Sequence, residues 1–262
     1  MNGISLDRAY PDLFSPDEAT LVGRFLDDPI PLRARQRFVR ARETLTHSAY
    51  LVDGFVGRYR SDWTGRRQFL ALQIPGDFID LPSYMLGRLD HDLDSFTAAT
   101  IRRMPHEKFT ALRQAAPDTY DKLWRISLID AAIHRYWAFR VGRLVGRARI
   151  ANLFAEIFVR QFSRGLCDQD RFPLPVTQND LAEAYGMTPV HANRMLGELR
   201  AEGICSLINR EVVLHDFPAM VKTGQFEWDY LFLPPDIEAE VQRLCGRSTA
   251  PARRSQAICR ML

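Results

Sequence analysis

The sequence predicts an α+β protein in which an antiparallel β domain, a long helix and a compact C-terminal unit follow one another. Three observations indicate this order. Over residues 46–109 the apolar residues come in short runs broken by Gly, Pro and Asp, as is typical of antiparallel strands and turns. After Pro117 the apolar residues take helical spacing. At Thr177 a third pattern begins, in which helix-capping residues and a glycine delimit two short helices.

The composition fits a folded chain of one large or two modest domains. The 262 residues are 46% hydrophobic and 26% charged, and the formal net charge of +3 permits nucleic-acid binding without requiring it. The start of the chain lacks the basic and apolar segments of a signal peptide, and no apolar run is long enough to span a bilayer. We therefore expect a cytoplasmic protein that does not enter membranes.

The β domain is expected to cover residues 1–115, with a short helix over residues 17–26 ahead of the strands. Turn sequences such as Asp53-Gly54 and Pro75-Gly76-Asp77 separate its apolar runs. The interior of such a domain is a natural pocket for a small molecule.

The long helix, expected within residues 116–145, is apolar on two faces and must therefore be buried on two sides. One face can cover the β domain. The simplest partner for the other face is the same helix of a second copy, which predicts a homodimer, and a core helix of a monomer is the alternative. The first face is Ile126, Ile129, Ile133, Tyr136 and Trp137; the second is Trp124, Leu128, Ala131, Ala132 and Phe139.

A second unit is expected over residues 146–220 and a C-terminal extension over residues 221–262. The unit begins with an amphipathic helix from about Arg147, and the polar stretch 168–175 is predicted to be a linker. The extension is predicted to hold a short helix over residues 237–244 and a loose tail, Ser248 to Arg254. The polar side chains predicted to face water on the amphipathic helix are Arg149, Asn152, Glu156 and Arg160.

Two capped helices follow in the stretch TQNDLAEAYGMTPVHANRMLGELRAEG. Thr177 can cap the first helix reciprocally with Asp180, and Gly186 supplies the left-handed residue that ends it. Thr188 caps the second helix, and Pro189 occupies its first position, where the missing N–H costs nothing. Two helices joined by a tight glycine turn predict a helix-turn-helix.

A β-hairpin, or wing, is predicted after Gly203, with strands at residues 204–208 and 212–215 joined through Asn209-Arg210. A helix–turn–helix shape also occurs as plain packing in all-α proteins. The paired caps, the exposed Arg194 and the following wing favour a DNA-binding unit over plain packing.

The predicted DNA contacts follow from how such a motif docks, with the first turns of its second helix in the major groove. Arg194 can reach guanine O6 and N7 with two hydrogen bonds, and Val190 can touch a thymine methyl group. Side chains and N–H groups at helix starts meet phosphates. The predicted contacts are Thr177, Gln178, Thr188, Pro189, Val190, His191, Asn193, Arg194 and Arg210.

These residues resemble the DNA-binding element of the Crp/Fnr transcription regulators. Upstream, YLVDGFVGRYRSDWTGRRQFLALQIPGDFIDL resembles the cyclic-nucleotide-binding-like β-roll of the same family, and the long helix matches its dimerisation helix. The resemblance covers roughly residues 17–220. It implies a homodimer that reads an inverted repeat in double-stranded DNA and contacts RNA polymerase.

The sequence departs from the family at its known ligand motifs. Where cyclic-AMP-binding members carry Gly-Glu-Leu and Arg-Ser, this chain reads Asp80-Leu81-Pro82 and an acidic stretch around His91, with no arginine there to offset the carboxylates. It also has no cysteine before Cys167 for an iron–sulfur cluster. Cyclic AMP and an iron–sulfur cluster are therefore not expected, and the cofactor stays open. We place an effector pocket at Gly76, Asp77, Asp80 and His91.

Other interpretations carry less weight. Asp90, His91, Asp92 and Asp94 could suggest a metal site, but a solvated loop fits their spacing better, so no metal is predicted. The arginine-rich run over residues 33–42 is interpreted as a solvated face. No enzyme motif is present. The alternative to a DNA-reading regulator is a sensor of haem, redox state or a small molecule that acts through protein contacts, with His134 as its haem ligand.

Overall fold

Two antiparallel sheets form the N-terminal β domain. Their strands are β1 (Ile30–Leu32), β2 (Arg37–Val39), β3 (His47–Asp53), β4 (Val56–Ser61), β5 (Arg67–Gln73), β6 (Asp92–Ser95) and β7 (Ala99–Pro105). One sheet has the order β1-β7-β3 and the other β2-β6-β4-β5. Leu51 and Ile101 of the first sheet cluster with Val56 and Leu93 of the second. The computed structural model, which describes residues 3–246, thus confirms the predicted β-roll.

Short helices flank the β domain. They are α1 (Leu6–Ala9), α2 (Pro16–Phe25), α3 (Ser83–Leu86) and α4 (His106–Ala115). Helix α2 begins at a capping box in which the Ser15 hydroxyl accepts from the Glu18 N–H and the Glu18 carboxylate accepts from the Ser15 N–H at 2.9 Å. The helix therefore starts one residue before the predicted position.

The long helix is α5 (Pro117–Arg143). Its first predicted face packs inward, with Ile126, Ile133 and Trp137 buried. On its second face Leu128 is 68% and Phe139 44% exposed, whereas Ala132 is buried, so a single chain leaves part of that face open to solvent. Within residues 3–246, neither α5 nor any other helix is apolar enough over a sufficient length to cross a membrane.

Helix α6 (Arg147–Phe162) is enclosed on nearly every side. The prediction that its polar side chains face water is wrong for Asn152, Glu156 and Arg160, all of which are buried. Asn152 and Glu156 contact α5 and the C-terminal segment, whereas Arg160 donates to the Leu72 carbonyl and to Asp77 of the β domain. The Trp137 indole N–H donates to Glu156 at 3.1 Å, and the Asn152 amide donates to the Gly224 carbonyl at 2.9 Å.

A chain of five buried charges, which we call the buried ion network, joins α5, α6 and the β domain. Arg140 pairs with Glu156 at 2.5 Å, and Arg160 lies 3.4 Å from Glu156. Arg160 and Arg164 each pair with Asp77 at 2.7 Å. Burial alone would raise the pKa values of Glu156 and Asp77, but the neighbouring guanidinium groups lower them below their usual range. Both acids are therefore ionised at neutral pH.

The C-terminal unit contains a three-stranded sheet of order β8-β10-β9 beside two helices. Its elements are β8 (Arg171–Pro173), α7 (Gln178–Tyr185), α8 (Pro189–Ala201), β9 (Cys205–Ile208) and β10 (Glu211–Leu214). The stretch 168–175, predicted to be a linker, instead supplies β8. A three-residue strand flanked by prolines lacks the length of apolar alternation that predicts a strand from sequence.

The C-terminal extension folds back onto α5 and α6. It consists of α9 (Phe217–Gly224), a 3-10 helix (Asp229–Leu231) and α10 (Pro235–Leu244). The Tyr230 ring stacks on Tyr136 with centroids 3.8 Å apart, and its hydroxyl donates to Glu156 at 3.0 Å. The extension thus completes the cover over the buried ion network. The predicted loose tail, Ser248 to Arg254, lies outside the described residues.

Replacing Glu156 by Gln should strongly destabilise the protein, because three buried arginines would then face one acid. Breaking a buried pair costs about 3–5 kcal/mol, whereas an exposed pair contributes less than about 1 kcal/mol. Asp90→Asn is the matched control, since the Arg60–Asp90 pair has side chains 57% and 74% exposed. Urea denaturation at one protein concentration should lower the free energy of unfolding much more for Glu156→Gln. Equal losses in the two variants would contradict a structural role for the network.

Candidate nucleic-acid interface

The turn between α7 and α8 is built from local capping contacts. The Thr177 hydroxyl accepts from the Asp180 N–H at 3.2 Å, and the Asp180 carboxylate accepts from the Thr177 N–H at 2.7 Å. Gly186 ends α7 with a φ of +61°, and the Thr188 hydroxyl accepts from the His191 N–H at 3.2 Å. The structure therefore has the caps that the sequence indicates.

The first turns of α8 present an exposed face. Val190 is 80% exposed, and Asn193 and Arg194 are also exposed. The opposite face packs into the core through Ala192, Met195 and Leu199. The exposed side chains are those that could reach base edges in a major groove.

Hydrogen bonds hold several predicted contact residues against one another. The Gln178 amide donates to Asn193 at 2.9 Å, which ties the start of α7 to α8. The Arg194 guanidinium lies 2.9 Å from His191 Nδ1, and its side chain is 67% exposed. Arg194 is thus oriented from one side while it stays accessible.

The wing turn places Arg210 at its tip. Asn209 and Arg210 have φ values of 52° and 68°, the left-handed conformation that a two-residue hairpin requires. Both residues and Ile208 are exposed. The Arg210 carbonyl accepts from the Leu174 N–H at 2.8 Å, so the residue after β8 supports the tip.

Helix α7 is docked against the β domain by contacts that the sequence did not indicate. Arg35 donates to both carboxylate oxygens of Asp180, at 2.8 and 2.9 Å, and Gln68 donates to the Ala184 carbonyl at 2.8 Å. Burial would raise the pKa of Asp180, but its hydrogen bonds with Arg35 and Thr177 lower it, so the pair is charged at neutral pH. Arg35 was expected on a solvated face, and only the folded chain brings it to a partner 145 positions away.

The predicted effector residues lie in different places. Asp80 and His91 line a cavity of about 1040 Å³ between the β domain and α5. Asp77 belongs to the buried ion network, and Gly76 packs so closely on α1 that a Cβ there would lie 2.7 Å from Ala9. The structure therefore brings together two of the four residues.

Arginines dominate this cavity, which we call the arginine cavity. Arg58 pairs with Asp130 of α5 at 2.7 Å, and Arg60 pairs with Asp90 at 3.0 Å. The local sequence around His91 suggested carboxylates without arginines, and that reasoning fails because Arg88 lies three positions before His91 and the other arginines come from distant segments. Those lining the cavity are Arg42, Arg58, Arg60, Arg88 and Arg135. Arg58 and Arg60 are two positions apart in β4, and this spacing could have indicated that their side chains lie on the same side of the sheet.

Three buried polar atoms of the arginine cavity have no hydrogen-bond partner among the described residues: Asp80 Oδ2, His91 Nε2 and Arg58 Nε. Burial raises the pKa of Asp80 to about 7, against the opposing effects of the Ala49 N–H and Arg58. Burial and Arg58 also lower the pKa of His91. Buried polar atoms without partners are costly, and a polar ligand would satisfy them.

The acidic stretch around His91 is engaged in ion pairs. Arg37 lies 3.1 Å from Asp92 and 2.9 Å from Asp94, and Arg67 lies 2.9 Å from Asp94. Among residues 3–246, no group of three or more side chains is arranged to hold a metal ion. Asp92 and Asp94 are buried in β6, an inner strand of its sheet, so the predicted solvated loop is wrong at these two positions.

Comparisons with known proteins agree with this geometry. Residues 148–223 match the family model of the Crp-like helix-turn-helix domain. The chain is 25% identical over 194 residues to the transcriptional activator protein FnrL of Cereibacter sphaeroides, covering 72% of this chain and 77% of that one. It is 24% identical to the nitrogen fixation regulation protein FixK of Bradyrhizobium diazoefficiens, covering 70% and 76% of the two chains.

The fold also matches solved structures of regulators. The structure of FixK2 from Bradyrhizobium japonicum superimposes with a TM-score of 0.67 at 20% identity, over 75% of this chain and 96% of that one. The two sequence relatives are named as a transcriptional activator and a nitrogen fixation regulation protein.

The unusual pKa of Asp80 predicts a pH-dependent effect of Asp80→Asn. The folded protein keeps this proton up to about pH 7, whereas the unfolded chain loses it near pH 4. The contribution of Asp80 to stability therefore falls as pH rises from about 4 to 7, and that loss is complete above pH 7. Asn carries no charge and keeps an oxygen for the Ala49 N–H, which now donates to Asp80 at 2.5 Å. The melting temperature of Asp80→Asn should rise relative to wild type between about pH 5 and pH 8. A difference independent of pH would contradict the assignment.

Proposed function

We propose that this chain, a regulator of the Crp/Fnr type by its helix-turn-helix domain and its fold, binds an inverted-repeat DNA site as a homodimer. The observation that carries the proposal is the exposed, capped start of α8, which presents Val190, Asn193 and Arg194 together. In a helix-turn-helix these positions enter the major groove.

Base reading would rest on Arg194, whose guanidinium can donate twice to one guanine. Asn193 or His191 would bond a base edge or a phosphate, and Val190 would contact a thymine methyl group. Thr177, Gln178, Thr188 and Pro189 lie at helix starts, where backbone N–H groups meet phosphates. Arg210 at the wing tip would add a further phosphate contact.

Dimer formation is supported by the open face of α5. Residues spaced alternately four and three apart form a stripe of mostly small or apolar side chains, which is the pattern of a two-stranded coiled coil. Every member is exposed or half-buried in the single chain. The stripe, which we call the α5 seam, is Trp124, Leu128, Ala131, Arg135, Ala138 and Gly142.

Control by an effector is supported by the position of the arginine cavity. Ala131 and Arg135 belong to both the cavity and the α5 seam, so a ligand there would act on the dimer contact. Five arginines and three aspartates line the cavity. The surplus of positive charge favours an anionic effector.

The alternative of a haem sensor has less support. His134 Nδ1 bonds the Asp130 carbonyl at 2.8 Å, and Nε2 lies 3.0 Å from Arg58, so both ring nitrogens are engaged. The DNA-reading function is therefore preferred. Such a regulator would act in the cytoplasm and contact RNA polymerase. Residues 1–115 would form its sensor domain and residues 116–145 its dimerisation helix. Residues 146–220 would bind DNA, and residues 221–262 would form the C-terminal extension.

Selection of bound duplexes from a random DNA pool tests the readout. Wild type should enrich a two-fold symmetric site, with half-sites about 34 Å apart. Arg194→Ala should lose about 1–3 kcal/mol at that site and relax preference at one base pair per half-site. Arg200→Ala, an exposed arginine at the far end of the same helix, is the matched control. Unchanged base preference in Arg194→Ala would show that α8 does not read the site through this residue.

Sedimentation of two variants tests the dimer. Leu128→Glu places a charge in the α5 seam and should shift the protein towards monomer, because two buried charges would face each other. Trp63→Glu changes a side chain that is 98% exposed at the β4–β5 turn and should leave the mass unchanged. A monomeric wild type, or a Leu128→Glu dimer as tight as wild type, would refute the proposed seam.

A further inference from the structure

A second cavity lies where the N-terminal segment, α5, the end of α6 and the residues before α10 meet. We call it the junction cavity; its volume is about 250 Å³. It shares one lining residue, Asp130, with the arginine cavity, so the two spaces are distinct. An apolar cavity of ~150 Å³ is enough to bind benzene. The junction cavity can therefore hold a molecule larger than a single ring.

Six of its 21 lining residues are branched aliphatic side chains, and six others are charged. The α5 residues that line it run from Arg125 to Ile133, a stretch about 12 Å long at 1.5 Å per residue. An elongated alkyl chain fits such a wall better than a compact polar molecule does. The apolar lining residues are Leu13, Phe78, Ile126, Ile129, Ile133, Leu231 and Leu233.

One polar group inside the cavity lacks a partner. Gln73 is 2% exposed, and its side-chain amide makes no hydrogen bond within the described part of the chain. A buried amide without a partner is destabilising, and a ligand oxygen would relieve that cost. The neighbouring Leu72 carbonyl accepts from Arg160 at 3.0 Å, so Gln73 lies beside the buried ion network.

The charge around Gln73 favours an anion. The network holds three arginines against two acids, and Arg160 and Arg164 also line the cavity. Three arginines and three aspartates line the cavity itself, so the lining is neutral. One positive charge is in surplus when the groups paired with them are counted, since Arg58 pairs with Asp130 and Arg140 with Glu156.

The mouth of the cavity carries a strained aromatic residue. Phe232 is 63% exposed and has a φ of +50°, a left-handed conformation that is unfavourable for a bulky residue. Such strain clusters at ligand clamps. The ring belongs to the segment that joins the 3-10 helix to α10.

We propose that the junction cavity binds a medium-chain aliphatic carboxylate. Its carboxylate accepts hydrogen bonds from Gln73 beside the surplus positive charge, and its chain lies along α5 towards Phe232. A bound ligand would join the C-terminal extension to the β domain. This site is independent of the DNA-binding function and of the arginine cavity.

Calorimetric titration with octanoate, octanamide and octylammonium tests the proposal, because the three probes share a chain and differ in charge. Octanoate should bind best and octylammonium worst. Gln73→Leu should weaken octanoate about tenfold or more, through loss of a hydrogen bond to a charged group. No octanoate binding at about 10 mM, or equal binding of octylammonium, would overturn the proposal.

Cavity variants locate the bound probe. Ile129→Trp should fill the junction cavity and abolish octanoate binding, whereas Ile129→Ala enlarges it and should keep binding. Leu86→Trp fills the arginine cavity instead and should leave binding unchanged. Octanoate binding that survives Ile129→Trp, or that is lost only in Leu86→Trp, would place the probe elsewhere and refute the site. Both Ile129 variants are compared with wild type by circular dichroism, and Ile129→Ala keeps the test valid if the tryptophan variant fails to fold.

Discussion

The buried ion network is the constraint on which the rest of the structure depends. Ionised groups are costly to remove from water, so Glu156 and Asp77 are tolerated only because arginines from two segments converge on them. Arg140 comes from the long helix, Arg160 and Arg164 from around the end of α6, and Asp77 from the turn after β5. These elements therefore hold one relative position. An apolar core would tolerate several arrangements of the same helices, whereas paired charges with few acceptors tolerate few.

The network also explains why the functional surfaces face outward. One face of α5 packs inward with Trp137 and Arg140 buried. Its other face, which carries the α5 seam, is therefore left exposed. Helix α6 is enclosed, so the exposed polar surface of the C-terminal unit lies on α8 instead. The C-terminal extension, which stacks Tyr230 on Tyr136, closes the remaining side. The β domain, α5 and α6 thus meet around one cluster of charges, and the arginine cavity lies between the first two of them.

Local chemistry was predictable from the sequence, and distant pairing was not. The Thr177–Asp180 box, the Gly186 stop and the Thr188 cap depend on residues within a few positions of one another, so their spacing predicts them. The two faces of α5 and the turn-bounded apolar runs of the β domain were predictable for the same reason. The Arg35–Asp180 pair, the burial of Glu156 and the arginines around Asp80 join segments far apart in the chain. A polar residue on an amphipathic helix is usually solvated, and the spacing of residues in α6 does not show that Glu156 is buried instead.

Asp180 has two tasks at once, and this limits how the chain can be taken apart. Its carboxylate both closes the first turn of α7 and accepts the two-pronged guanidinium of Arg35. A DNA-reading unit transplanted onto another sensor would therefore arrive with an acid whose partner was left behind. Recombination within this family of sequences would have to carry both residues, which are separated by most of the chain, or replace them together. The DNA-binding unit is thus compact in its fold, but Arg35, the partner of its Asp180, lies outside it.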